Sequence, residues 1–477
     1  MADDGREDES FLGVDEGIEV LDDLEGPGDG SVADMSDAGE EEENEEEDDE
    51  DARPAQQAAL RDDDIHTFLG HDDAVYSVAW HPTIPDVVAS GGADDRAFLW
   101  RVGQDAFEET QGAVKELAGH EDTVASLAFS RSGALLASGG MDGRVLVWDS
   151  STGALVSTLE GPGEAVEWVR WHPRGDVVLA GAADCSAWMW NGRSGAYMCS
   201  FAGHGGSVTC GDFSPDGKTV VTASADGTLR VWDPKTGACL RSVQLAAGGT
   251  GAGAGGAAAG GAAAAAAAAR AEAAAALAVS DATPAATSLA FAPDGASVLV
   301  GCEDGIARVV ALASGRVSAV LVGKVDRADA AGVAGAAGLP GGAPAPAAAP
   351  PLSADPVSMP DLPGIECVCF PRGIANVAVT ASLDGSLIVW DLQASAPRLL
   401  CPHPDVVTRL AAHPTRPLVA TACVDAVARC WDVRTGLCVA EWHGHLAAIQ
   451  DIVFSPDGKH VLTGAEDNSA RVFALEA

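Results

Sequence analysis

Apolar and polar residues alternate in short runs along most of the chain. Val208 to Phe213 is followed by Pro215-Asp216-Gly217, then Thr219 to Ala223, then Asp226-Gly227. A period of two, broken by Pro, Gly and Asp, predicts brief strands joined by tight turns. The unit recurs eight times. Its clearest mark is an Asp followed six residues later by a bulky residue: Asp94/Trp100, Asp142/Trp148, Asp184/Trp190, Asp226/Trp232, Asp304/Val310, Asp384/Trp390, Asp425/Trp431 and Asp467/Phe473. A His stands 22 residues before the Asp at His120, His204, His403 and His445, and 23 before it at His71. Ser90, Ser138, Thr222, Thr380, Thr421 or Thr463 stands four before it. Two spacings that recur together define a repeat of about 42 residues with four strands, the layout of a propeller blade.

Marker spacing widens to 78 residues between Trp232 and Val310 and to 80 between Val310 and Trp390. Low-complexity insertions at 245–282 (Ala/Gly-rich) and 324–364 (Ala/Pro-rich) absorb the excess; both read as loops, the first with an unstable helix around Ala262 to Ala276. Residues 1–60 hold 25 acidic and 2 basic residues, too little apolar surface to offset ordering entropy, so a disordered acidic tail is expected there. Its mixed stretches Phe11 to Val14 and Ile18 to Leu21 read as a chance cluster rather than a docking motif. The repeats occupy 63–477. The last repeat ends one strand after Asp467, and Ile65 to Leu69 are placed to supply its missing outer strand, which closes the ring and removes a free edge. The fold class expected is all-β: an eight-bladed β-propeller closed by an N-terminal strand.

The residues at these marks resemble the WD-repeat family. Gly70-His71, Gly119-His120, Gly203-His204 and Gly444-His445 open repeats; Trp148-Asp149, Trp232-Asp233, Trp390-Asp391 and Trp431-Asp432 end strands. The resemblance implies that recurring Ser, His and Asp form structural networks, from turn Asp to loop His to strand Ser/Thr to Trp, rather than a nucleophilic site. Four blades carry all four residues: His71, Ser90, Asp94, Trp100; His120, Ser138, Asp142, Trp148; His204, Thr222, Asp226, Trp232; and His403, Thr421, Asp425, Trp431. Blade three has Pro162 and Ala180 instead, blade five has Ala282, Val300 and Val310, and blade six lacks the His. Fewer internal bonds predict more deformable blades there.

The formal charge is −43. That sign argues against nucleic acid, whose phosphates attract surplus Lys and Arg. The Ala/Gly run is too weakly apolar for a membrane span, and no basic-then-apolar leader opens the chain. A soluble monomer is expected, in the cytoplasm, with the nucleus open as a second compartment. The eleven cysteines fall within apolar runs and read as reduced core residues. No phosphate loop, His-Glu-x-x-His helix or nucleophile elbow is present, so no enzyme, metal or cofactor is expected.

Family geometry places one residue of each first strand at the mouth of the central channel: Tyr76, Ala125, Glu167, Thr209, Thr287, Glu366, Thr408 and Gln450. Nearby loops add Asp72, Asp73, Asp95, Glu121, Asp122, Glu164, Glu303, Asp405 and Glu466. An acidic concave mouth attracts a basic polypeptide segment, with Tyr76 and Trp168 expected as aromatic anchors. The bland alternative is a generally acidic, solubilising surface. Glu167-Trp168, Trp171-His172-Pro173-Arg174, Leu179-Ala180-Gly181, Ala183-Asp184 and Trp188-Met189-Trp190 look like the angio-associated migratory cell protein branch of the family. So do Gly91-Gly92, Asp94-Asp95, Ala97-Phe98, Trp100 and the tail's Ile18-Glu19-Val20. The fungal members of that branch imply a dedicated chaperone for a large-subunit ribosomal protein during ribosome assembly. Trp431-Asp432-Val433-Arg434 resembles a motif that docks substrate receptors to a cullin-RING ubiquitin-ligase adaptor, with Arg434 facing the adaptor. A signalling or cell-migration scaffold is a third reading, on the branch name alone.

Overall fold

A computed structural model describes residues 61–103, 114–246, 283–322 and 362–475. The acidic tail, the proposed helix around Ala262 to Ala276 and most of both insertions lie outside them. Leu245 and Leu362 to Gly364, assigned above to the insertions, belong to the described ring: Leu245 is fully buried and its N–H donates to Gly227 O.

Among the described residues thirty-two strands, β1 (Asp64–Phe68) to β32 (Ala470–Ala474), form eight four-stranded antiparallel sheets. Seven sheets are simple meanders, the first made by β2 (Val75–Trp80), β3 (Val87–Gly92), β4 (Arg96–Arg101) and β5 (Val114–Ala118). The eighth is composite: β30 (Ile449–Phe454), β31 (His460–Ala465) and β32 come from the end of the chain, and β1 supplies the outer strand. Thr67 pairs with Arg471 and Phe68 with Ala470. Phe68 is 2% exposed and stacks on Trp100 at 4.9 Å, while Arg471 reaches Asp62 at 3.2 Å. The molecule is therefore an eight-bladed β-propeller. Its apolar clusters sit between neighbouring blades, as where Val75, Val78 and Trp80 of blade one meet Leu462, Ala470 and Val472 of blade eight.

The networks form in blades one, two and four. His71 bonds Asp94 at 2.9 Å and Ser90 at 2.9 Å, and Trp100 donates to Ser90 at 3.1 Å. His120 and His204 repeat the arrangement with Asp142, Ser138 and Trp148, and with Asp226, Thr222 and Trp232. Because indole N–H only donates and carboxylate only accepts, the chain has one polarity: Trp to Ser/Thr to His to Asp. Blade eight has the same His445, Thr463 and Asp467 links with Phe473 in place of Trp.

Blade seven departs from expectation. Its four residues match the pattern, yet Asp425 turns to Arg429 at 2.8 Å. His403 keeps Thr421, accepts directly from Trp431, and leaves Nδ1 buried without a partner. Arg429 stands four residues on, in β28 (Ala428–Asp432), and its guanidinium takes the carboxylate. Arg230 and Arg471 hold the same place in blades four and eight, where Thr228 and Ser469 also bond the turn Asp, and there His204 and His445 keep it. In blade five Arg308, 2% exposed, captures Asp304 in the same way, which supplies an internal bond where no His exists. Blade three sends the Trp190 N–H to Glu160 O instead. Blade six keeps only the Trp390 to Thr380 bond.

Two outcomes follow. Deleting residues 62–70 removes the closing strand and lowers the melting temperature, whereas deleting 1–55 leaves it unchanged; calorimetry on both deletions checks this. Burial and then Arg429 push His403 down to about 4, from an ordinary value of 6.5. A depressed folded value means this residue's contribution is complete above pH 6.5 and is lost as pH falls towards 4. Arg429→Leu returns Asp425 to His403 and raises its pKa, read by NMR titration of the ring.

Candidate functional site

Seven of the eight innermost strands carry a β-bulge at the same place. Register shifts fall between Val75 and Ser77, Val124 and Ser126, Val166 and Trp168, Ala286 and Ser288, Ile365 and Cys367, Val407 and Arg409, and Ile449 and Asp451. The extra residues are Tyr76, Ala125, Glu167, Thr287, Glu366, Thr408 and Gln450. A bulge leaves one residue unpaired and re-aims its side chain. These are the positions assigned to the channel mouth from sequence.

The threonines at this level do not serve a ligand. Thr209 donates to Ala286 O at 2.7 Å, Thr287 to Ile365 O at 2.5 Å and Thr408 to Ile449 O at 2.6 Å, each bond tying one blade to the next. The residue after the bulge does similar work. Ser77, Ser126 and Ser288 accept the N–H groups of Leu127, Val169 and Val368 from the following blade, and Asp451 accepts from Val78 across the closure at 2.9 Å. Sequence reasoning missed this stitching, because each bond links residues of different repeats.

Trp168 occupies that stitching level too, which corrects its assignment as a ligand anchor. It is 4% exposed, donates to Val208 O at 2.8 Å and lies on Gly181 and Gly211. A Cβ on either glycine would come within 2.5 Å of the indole. Gly211 stands where the neighbouring strands carry Val169 or Leu289, and that missing side chain was the signal that the blade-three Trp fills the space. Tyr76, 38% exposed, does face the mouth.

A second ring is set by one repeated backbone bond. The residue before each turn Asp donates its N–H to the loop preceding the first strand, as in Met141 to Thr123 O, Leu383 to Gly364 O and Val424 to Val406 O. Around the ring these residues are Ala93, Met141, Ala183, Ala225, Glu303, Leu383, Val424 and Glu466.

The candidate acids gather at this end. Asp72, Asp73, Glu121, Asp122, Glu164, Glu167, Glu303, Asp405 and Glu466 are exposed; Asp95 and Glu366 are half-buried. Some are engaged: Glu121 pairs with Arg144 at 2.8 Å, Asp72 with Arg96 at 3.5 Å, and Glu466 accepts from Gln450 at 2.7 Å. Asp95 sits at φ 63° as a turn residue. Burial, and then Glu303, raise the Glu366 carboxyl above its ordinary range, against the pull of Arg409. Among the described residues, the interstrand loops at this end hold 18 acidic residues and one basic residue, Arg144. Those at the other end hold 6 acidic and 9 basic. The charge is therefore polarised along the ring axis, which a generally acidic surface would not be.

The mouth is not uniformly acidic. Arg409, one residue deeper than its bulge, lines it with a half-exposed side chain, Nε 3.8 Å from Asp451. Arg434 lies at the opposite end, half-exposed and clamped by Asp432 at 2.7 Å. Among the described residues no group of His, Cys, Asp or Glu is arranged for a metal, and no helix is long and apolar enough to cross a membrane.

Repeated blades, turn Asp networks and a loop-built mouth define a WD-repeat propeller, and the chain belongs to that family: the WD domain, G-beta repeat matches residues 63–101, 112–149, 153–191, 195–233, 280–310, 397–432 and 436–473. Most of blade six is unmatched, although it forms. Within the family the chain is a homologue of the angio-associated migratory cell protein. The Homo sapiens protein is 30% identical over 444 residues, covering 87% of this chain and 81% of the relative. Crystal structures of Sqt1 share the fold. The Saccharomyces cerevisiae protein matches with a TM-score of 0.66 at 20% identity, over 88% of this chain and all of that one. The Chaetomium thermophilum protein, bound to the N-terminus of the ribosomal protein L10, matches at 0.65 and 23%, over 87% of this chain and 100% of that one.

Trp168→Ala empties a dry wedge between blades three and four. The expected loss is about 3–5 kcal/mol of stability, measured by denaturant unfolding.

Proposed function

We propose that this protein is a non-enzymatic, stoichiometric chaperone whose acidic end captures an Arg/Lys-rich segment of a large-subunit ribosomal protein. The observation that carries the reading is the division of charge between the interstrand loops, 18 acids to one base in those at the mouth end against 6 to 9 at the other. A concave surface of one sign concentrates field and speeds capture of an oppositely charged segment. The Sqt1 structure with the L10 N-terminus supports the choice of partner, since it is a propeller of this fold holding a ribosomal-protein terminus. Shielding a basic, unfolded segment from RNA and release at the assembling subunit, in cytoplasm or nucleus, complete the proposed role. Blades one, three and six offer Tyr76, Glu167 and Glu366 at the mouth, so binding concentrates there rather than evenly around the ring.

The ligase-adaptor reading rests on Arg434, whose guanidinium is already held by Asp432. It uses the other end of the ring and does not compete with the mouth.

Affinity purification at low and at high salt, with identification of bound proteins, tests the chaperone reading. One ribosomal protein dominates at low salt and is lost at high salt. Glu167→Lys, at an exposed position, lowers its affinity by roughly tenfold without changing the melting temperature. A salt-insensitive complex overturns the electrostatic account.

A further inference from the structure

The two rings at the mouth are unequal around their circumference. In blades three to five the turn position holds Ala183, Ala225 and Glu303. In blades two, six and seven it holds Met141, Leu383 and Val424, which are 49%, 45% and 38% exposed. Tyr76 of blade one and Leu446 of blade eight, 69% exposed, fill the gap in this arc. Of these five, Tyr76 and Met141 meet at one concavity of the mouth, where exposed apolar groups mark a contact surface.

A cavity of about 310 Å³ lies within this arc, lined by Tyr76, Met141, Glu366, Val406, Arg409 and Gln450 among others. That is the lower limit of ligand-pocket size and suits a single side chain. Its charge is not that of the rim. Arg409 projects into it and is held near Asp451. A Lys or Arg entering at this depth meets a like charge, which costs affinity. A neutral ring meets a planar guanidinium, which it can stack on, and the apolar faces of Tyr76, Met141 and Val406.

We propose that the mouth reads two features of its partner: basic residues that lie on the acidic rim, and one bulky aromatic side chain between them that plugs the cavity. Arg409 is the specificity residue, since it excludes a cation from the depth at which Glu366 would otherwise receive one. This inference rests on the basic-segment reading above and adds the neutral plug to it.

Three synthetic peptides decide it, each Arg/Lys-rich with Trp, Gly or Arg at the centre, titrated against the full chain by fluorescence anisotropy at low salt. The Trp peptide binds roughly tenfold or more tighter than the Gly peptide, the scale of burying one ring. Met141→Ser combined with Tyr76→Ser, both at exposed positions, removes the difference between the Trp and Gly peptides. Arg409→Gln strengthens the Arg-centred peptide and weakens the Trp-centred one. Equal affinities for the Trp and Gly peptides, with salt-dependent binding intact, overturn the plug and leave the chaperone reading standing. Absence of binding by all three overturns the reading beneath it as well.

Discussion

The structure depends on one unpaired residue in seven of its eight blades, with Thr209 making the same junction in blade four without a bulge. An innermost strand must hydrogen-bond to its own sheet and also hold the next blade at a fixed angle, and a straight ladder leaves no group for the second task. The bulge supplies one. Where that residue is Thr287 or Thr408, its hydroxyl reaches the carbonyl of the following blade. Where it is Tyr76 or Glu167, the side chain is aimed at the mouth instead, and the junction is held by the next residue along. Ser77 does this after Tyr76, and Trp168 does it after Glu167. In blades one and three a mouth-facing residue thus coincides with a neighbour that has taken over the junction.

Within a blade, the turn Asp is the point of control. It caps its own turn through backbone N–H groups, as Asp226 does for Gly205 and Thr228, so it is held whether or not a His is present. An Arg four residues on takes it over in blades five and seven, but not in blades four and eight, where Arg230 and Arg471 leave the Asp to its His. In blade five this completes a blade that has no His. In blade seven it strands a His that is there, and leaves a buried ring nitrogen without a bond, a cost of roughly 1–3 kcal/mol. The same substitution has opposite effects according to what else the blade contains.

Much of this was legible in the sequence. The repeat of Asp and Trp markers fixed eight blades, and the missing last strand identified β1 as its replacement. A bulge falls at seven of the eight positions assigned to the mouth, and Tyr76, Ala125, Glu366, Thr408 and Gln450 among them line one cavity. What escaped were relations between repeats. Trp168 looks like any exposed-mouth neighbour until Gly211, 43 residues on, is set against it. Asp425 looks like a network member until Arg429 competes for it. Arg409 falls one residue outside the positions that family geometry singles out, so the mouth read as purely acidic. Periodicity reports what each blade shares, and these residues matter because they differ.

The closing strand carries a consequence for the order of events during synthesis. Asp62 and Arg471, which meet at the clasp, are 409 residues apart in the chain. At about 5–20 residues per second, the first strand to leave the ribosome waits some 20 to 80 s for its partner to be made. Through that interval every blade already formed has an open edge at one end of the row, and contacts of such long range are slow to form even once available. A protein proposed to shield an unfolded segment of another therefore begins its own life with an unpaired strand of its own.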